Sequence, residues 1–117
     1  MLNKPKYNLF KNTNYAIAGL KDIYQNETSF KAQLIAFASL CVVALFLNLG
    51  YIKTSIMIVS LFLPLLCEVA NSAIERTVDL VTLEYHELAK KAKDAGATMV
   101  FIAYIVVFVI WLLVIFY

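Results

Sequence analysis

Four polar side chains stand in a row where a long apolar run gives out: Glu68, Asn71, Glu75 and Asp79. On a continuous helix their offsets of 3, 7 and 11 residues keep them within one narrow face, at about 100° per residue. Ser72 lies beside them, and Val69, Ile74 and Val78 make the other face apolar. Glu68 follows LFLPLLC directly and has no basic residue within a turn. A carboxylate at that depth in a membrane costs free energy unless it is paired, protonated or facing a wet cavity. It therefore suits a general acid or base. Glu75 lies about 10 Å further along the helix axis, too far to share one proton or one small ion directly with Glu68. The pair can instead serve one site with a hydroxyl nucleophile at one end and a metal phosphate at the other. Hard oxygen ligands of this kind suit Mg²⁺, which keeps waters and takes one or two carboxylates. Glu27 is the further acid available. The competing reading is a water-facing stripe at the membrane interface. Asp79, with Arg76 close by, fits that reading as well.

A second set follows in EYHELAKKAKD: Glu84, Tyr85, His86, Glu87, Lys90, Lys91, Lys93 and Asp94. The plain reading is a solvated segment between helices, with His86 a surface histidine. Lys93 differs, because it stands one residue before Asp94 at the mouth of an uncharged run, where a lysine reaches a phosphate at the membrane surface. The chain contains no GxxxxGK[ST], GxGxxG, GxSxG or HExxH motif and no protein-kinase HRD or DFG set.

The elements that must position these residues are membrane helices. The chain has 117 residues, 62% hydrophobic and 15% charged, against about 25% charged in soluble domains. The expected architecture is all-α, a single domain over residues 1–117 with spans at about 30–49, 53–71 and 95–117. A surface helix is expected at about 5–27, where Leu9, Tyr15, Ile17, Leu20, Ile23 and Tyr24 alternate with lysines, although Asn12, Thr13 and Asn14 are poor helix formers. Lys4, Lys6, Lys11, Lys21 and Lys31 precede the first span. Arg76, Lys90, Lys91 and Lys93 lie between the second and third, and Lys53 alone lies between the first and second. The positive-inside rule then places the N-terminus in the cytoplasm and the C-terminus outside, with Trp111, Phe116 and Tyr117 at the outer interface. Pro64 should kink the second span. Cys41 and Cys67 lie in apolar runs without ligand spacing and read as buried thiols. The polar N-terminus lacks the apolar core of a signal peptide, and the chain is read as uncleaved. No basic face interleaved with aromatics points to nucleic acid.

The run EVANSAIERTVDLVTLEYHELAKKAKDAGA, residues 68–97, resembles the signature of the bacterial integral-membrane diacylglycerol kinases. Their pattern is E-x-x-N-[ST]-A-I-E-x-x-V-D, then E-Y-H, then A-K-D. GLKDIYQNETSFK resembles the family's N-terminal stretch, with Glu27 at its matching acid. The resemblance implies a homotrimer with sites shared between subunits in the bacterial inner membrane. It also implies transfer of the γ-phosphoryl of Mg·ATP to a lipid primary hydroxyl. By the same resemblance Glu68 is the base, Glu27 and Glu75 hold Mg²⁺, and Tyr15, Glu84, Tyr85, His86, Lys93 and Asp94 contact ATP. Asn71 positions Glu68 or the nucleotide, and Asp79 supports that network. Lys21, Ser29, Phe30, Lys31 and Trp111 border the lipid. Asn8 and Ala97 depart from the family's usual basic residue and serine, and Pro64 is outside its pattern.

Diacylglycerol is the expected substrate, leaned to by Asn71-Ser72. Undecaprenol, used by relatives with the same catalytic set, is the alternative. A reading of another class is a non-enzymatic membrane interaction or transport protein whose acids form a polar relay.

Overall fold

The computed structural model describes residue 6 and residues 8–117. Lys4 and the expected start of the surface helix at residue 5 lie outside the described residues. Five helices follow in order: α1 Leu9–Asn26, α2 Thr28–Phe46, α3 Tyr51–Ser60, α4 Phe62–Val81 and α5 Glu87–Phe116. No strand occurs among the described residues.

Asn8 fixes the start of α1: its side-chain oxygen accepts from the Lys11 N–H at 3.1 Å, satisfying one of the orphan donors of the first turn. The helix then runs through Asn12, Thr13 and Asn14, and Thr13 turns its hydroxyl back onto the Leu9 carbonyl at 2.8 Å. Only Ile23 of α1 is buried within the chain. Leu9, Phe10, Tyr15, Ile17, Leu20 and Tyr24 stand exposed. Glu27 interrupts the path with extended backbone, and α2 begins at the next residue. Between α2 and α3 the chain reverses through Asn48 and Gly50, at φ 52° and 97°. Those left-handed values suit asparagine and glycine.

The break between α3 and α4 is the work of Pro64. Lacking an N–H, it leaves the Ser60 carbonyl without its helical donor. The Leu61 N–H tightens onto Ile58 at 3.1 Å. Ser60 turns its hydroxyl onto the Met57 carbonyl at 2.6 Å. The Trp111 indole N–H from α5 reaches the same carbonyl at 3.3 Å and the Ser60 hydroxyl at 3.2 Å. Trp111, expected at the outer interface, is thus a part-buried clamp across the kink.

Three helical stretches are long and apolar enough to cross a bilayer: Thr28–Phe46, Tyr51–Val81 through the kink, and Glu87–Phe116. At 1.5 Å per residue the second and third measure about 45 Å, against about 30 Å of hydrocarbon. Each therefore projects about 15 Å beyond one, and α4 packs chiefly against α5. Of the segment 84–94, whose plain reading is a solvated connection, residues 87–94 are helical, and the projecting ends of α4 and α5 are joined only by residues 82–86. Phe37 and Phe62 meet edge to face at 4.9 Å and tie α2 to α4, a contact worth about 0.5–1.5 kcal/mol.

Candidate active site

The acidic stripe of α4 resolves into two rows, each with the four-residue step of one helix face. Glu68, Ser72 and Arg76 face the junction of α1 and α2. Asn71, Glu75 and Asp79 run beside α5. Between them the rows join α1, α2 and α5 around the polar part of α4.

In the first row Glu68 is only 6% exposed. Ser29 Oγ donates to its Oε1 at 2.9 Å and Gln33 Nε2 to its Oε2 at 2.8 Å. Ser29 and Gln33 are one turn apart on α2, so a single helix face serves both carboxylate oxygens. Two neutral donors supply the hydrogen bonds that a buried carboxylate needs. A carboxylate offers about four lone-pair positions, so room remains for an incoming proton. One turn on, the buried Ser72 hydroxyl donates to Glu27 Oε2. Beyond it, Arg76 reaches Glu27 Oε1 with Nε at 3.2 Å and Nη2 at 3.1 Å, and its Nη1 pairs with Asp22. Arg76, read from the sequence as the neighbour of Asp79, is instead the partner of α1 and the α1–α2 junction. That pairing, first through the hydrogen bond from Arg76 and then through Asn26, holds the Asp22 carboxyl below its usual range.

In the second row Asn71 is buried, and its Nδ2 donates to Glu75 Oε1 at 3.2 Å. The Asn71 carbonyl oxygen lies against Gly96 of α5 and has no hydrogen-bond partner. A Cβ at position 96 would overlap it, so glycine is what lets α5 approach α4 here. Two turns beyond Asn71, Asp79 Oδ1 accepts from Lys93 Nζ at 2.6 Å. Lys90 meets Asp94 at 2.7 Å on the same end of α5.

Past this pair the two projecting ends enclose an open cleft of about 380 Å³. Its walls include Asp79, Glu84, Tyr85, His86, Lys93 and Asp94, six of the residues singled out from the sequence. The connection is braced locally. The Glu84 N–H donates to Thr82 Oγ1 at 3.1 Å, and His86 caps α5 by accepting the Leu88 N–H on Nδ1 at 3.1 Å. The neutral ring therefore carries its proton on Nε2.

The donor set suits a hard cation in type, being carboxylate oxygen. Glu75 keeps Oε2 outside its bond with Asn71, whereas Glu27 has both oxygens engaged by Ser72 and Arg76. No group of three His, Cys, Asp or Glu side chains able to share a metal occurs among the described residues. A cation that arrives with a nucleotide needs only one or two carboxylates, and Glu75 with Glu27 meets that number if Arg76 yields. Phe30 is buried in the chain and also lines an apolar groove with Leu20, Leu34, Phe37 and Leu66. Lys31 lies 5.4 Å from the centre of the Tyr24 ring, a cation–π contact. Tyr15 and Lys21 are exposed on α1, away from the cleft lining.

Sequence reasoning missed Gln33, the structural part of Gly96, and the partners of Arg76. Gln33 carried a signal, as a lone amide in an apolar run one turn from Ser29. Gly96 and Arg76 carried none, because their partners lie on other helices.

Comparison with known proteins places the chain in a family. The family pattern described as Prokaryotic diacylglycerol kinase matches residues 14–115. The chain is 38% identical over 103 residues to a protein of Haemophilus influenzae named Diacylglycerol kinase, covering 88% of this chain and 87% of that one. The Diacylglycerol kinase of Escherichia coli strain K12 is 37% identical over 103 residues, 88% of this chain and 84% of its own. That of Pseudomonas aeruginosa is 38% identical over 99 residues, 85% and 80% of the two chains. With the match running through α1 to α5, the chain belongs to the prokaryotic diacylglycerol kinase family.

Proposed function

We propose that the chain is an ATP-dependent lipid kinase that phosphorylates the primary hydroxyl of diacylglycerol, giving phosphatidic acid. The observation that carries this reading is the placement of Glu68. It is a buried carboxylate within α4, where the apolar run gives out, and the far end of the same helix forms one wall of an open polar cleft that also holds Lys93 of α5. Glu75 and Asp79 follow it at about 10 and 16 Å along the axis, in line from the base toward the cleft.

The hydroxyl oxygen of the lipid attacks the γ-phosphorus while its proton passes to Glu68. The bond from that phosphorus to the bridging oxygen breaks, and ADP leaves with the electron pair. Ser29 and Gln33 keep the Glu68 carboxylate in place through the step. Lys93 offsets phosphate charge from the cleft wall, with Asp79 aiming its ammonium. Tyr85 and His86 flank the nucleotide, with Glu84 and Asp94 on the same walls. A Mg²⁺ ion bound with the nucleotide would be held by Glu75 and Glu27 and would neutralise charge on the phosphates. Positioning and charge neutralisation of this sort are what phosphoryl transfer chiefly requires.

The exposed apolar side chains of α1 support its lying on the membrane surface with its lysines at anionic headgroups. The bias of basic residues supports a cytoplasmic N-terminus and an outer C-terminus in a bacterial inner membrane. Family membership supports a homotrimer with sites completed between subunits.

Purified chain in mixed micelles with labelled ATP and Mg²⁺, offered diacylglycerol and undecaprenol in parallel, tests the reading. Preferential labelling of diacylglycerol is expected. Preference for undecaprenol would overturn the substrate, and no transfer to either lipid would overturn the kinase.

A further inference from the structure

Arg76 holds Glu27 at a position where the proposed site asks it to hold a metal. Both atoms of its fork lie within 3.2 Å of Glu27 Oε1, while Ser72 occupies Oε2. Its third nitrogen pairs with Asp22, so one guanidinium bridges two carboxylates. The Glu27 side chain is 18% exposed and that of Asp22 is 47% exposed. Glu27 therefore gains most from a partner, and Asp22 is the wetter one to which Arg76 can withdraw. Asp22, Glu27 and Arg76 together carry a net charge of −1, and Glu75 adjoins Arg76 on α4. A divalent cation thus meets the charge it needs without Arg76 leaving the neighbourhood.

We propose that Arg76 and the metal–nucleotide complex are alternative partners of Glu27, so that Arg76 sets the metal affinity of the site. In the free chain Arg76 ties the α1–α2 junction to α4 through Glu27. When the metal arrives, Glu27 turns to it and Arg76 retires onto Asp22. The inference rests on the proposed function, in which Glu27 and Glu75 hold the ion.

The test is equilibrium binding of Mn²⁺ with the β,γ-imido analogue of ATP, read from the loss of the free Mn²⁺ resonance, in the full chain in detergent. No turnover is needed. Arg76→Gln should tighten Mn²⁺ about threefold to fivefold, the scale of a part-exposed ion pair. Asp22→Asn should weaken it, because Arg76 then has only Glu27. A purely structural Arg76 would weaken binding, or leave it alone, in both variants. In a Glu27→Gln background the Arg76→Gln effect should vanish. Unchanged or weaker Mn²⁺ binding in Arg76→Gln overturns the inference while leaving the kinase reading intact. Absence of any Mn²⁺–nucleotide binding by the unaltered chain overturns both.

Discussion

Ser29 donates its hydroxyl proton to Glu68 at 2.9 Å, across 39 residues of sequence, from the first turn of α2 to the middle of α4. Gln33 repeats the contact one turn on, at 2.8 Å to the other oxygen. The base is thus held by a helix other than its own. Ser29→Ala and Gln33→Leu should each lower kcat about tenfold, the scale of one hydrogen bond to a charged group. The KM for ATP should hardly move, because neither residue lines the cleft. Parallel kcat and KM measurements check this, and a rise confined to the ATP KM would contradict it.

Gly96→Ala should slow turnover without unfolding the chain. The added methyl meets the Asn71 carboxamide, which can move only by releasing Glu75. A loss of activity with a lowered but still cooperative thermal transition is expected, because the overlap must push the helices apart or displace Asn71. Full activity would mean that the Asn71–Glu75 contact does not matter.

Lys93→Met should raise the KM for ATP by at least tenfold, since it removes a charge-assisted phosphate contact from the cleft wall. Asp79→Asn should act in the same direction but more weakly, because it only loosens the lysine. An unchanged KM for ATP in Lys93→Met would place the triphosphate elsewhere.

Asp22 makes stability fall in acid. Its folded carboxyl lies below the ordinary value near 3.8 because Arg76 and Asn26 donate to it. The contribution is complete above that value and is lost as pH falls through the lowered one. Asp22→Asn should therefore flatten the decline of the thermal midpoint below about pH 4. An identical acid limb in the variant would count against the Arg76 pairing.

Trp111→Phe should destabilise the chain by about 1 kcal/mol, the net worth of a typical hydrogen bond. It removes the N–H that clamps Met57 and Ser60 across the kink. A denaturation series in detergent measures it. No change would mean that the kink needs no clamp.

Glu68 was legible because a carboxylate directly after LFLPLLC has no cheap explanation in a membrane. The spans were legible because uncharged apolar runs of that length have few other uses. The division of the stripe into two rows was not. Offsets of 3 and 7 residues place Glu68, Asn71 and Glu75 on one narrow face, but only packing decides which of them meets α2 and which meets α5. The partners of Glu27 lie 45 and 49 residues away, beyond any periodicity. The continuation of α4 through Asp79 was legible from the stripe itself, whereas the start of α5 at 87–94 was hidden because its charges read equally well as a solvated connection, and tertiary packing settled it.

The measurement that bears most directly on the account is transfer of labelled phosphate from Mg·ATP to diacylglycerol by Glu68→Gln. The substitution keeps the side chain's size and removes only its capacity to take a proton. The variant should fold, assemble and bind the ATP analogue as the unaltered chain does, yet lose at least two orders of magnitude in kcat, the low end of what a general base supplies. Turnover near that of the unaltered chain would contradict the assignment of Glu68 as the base.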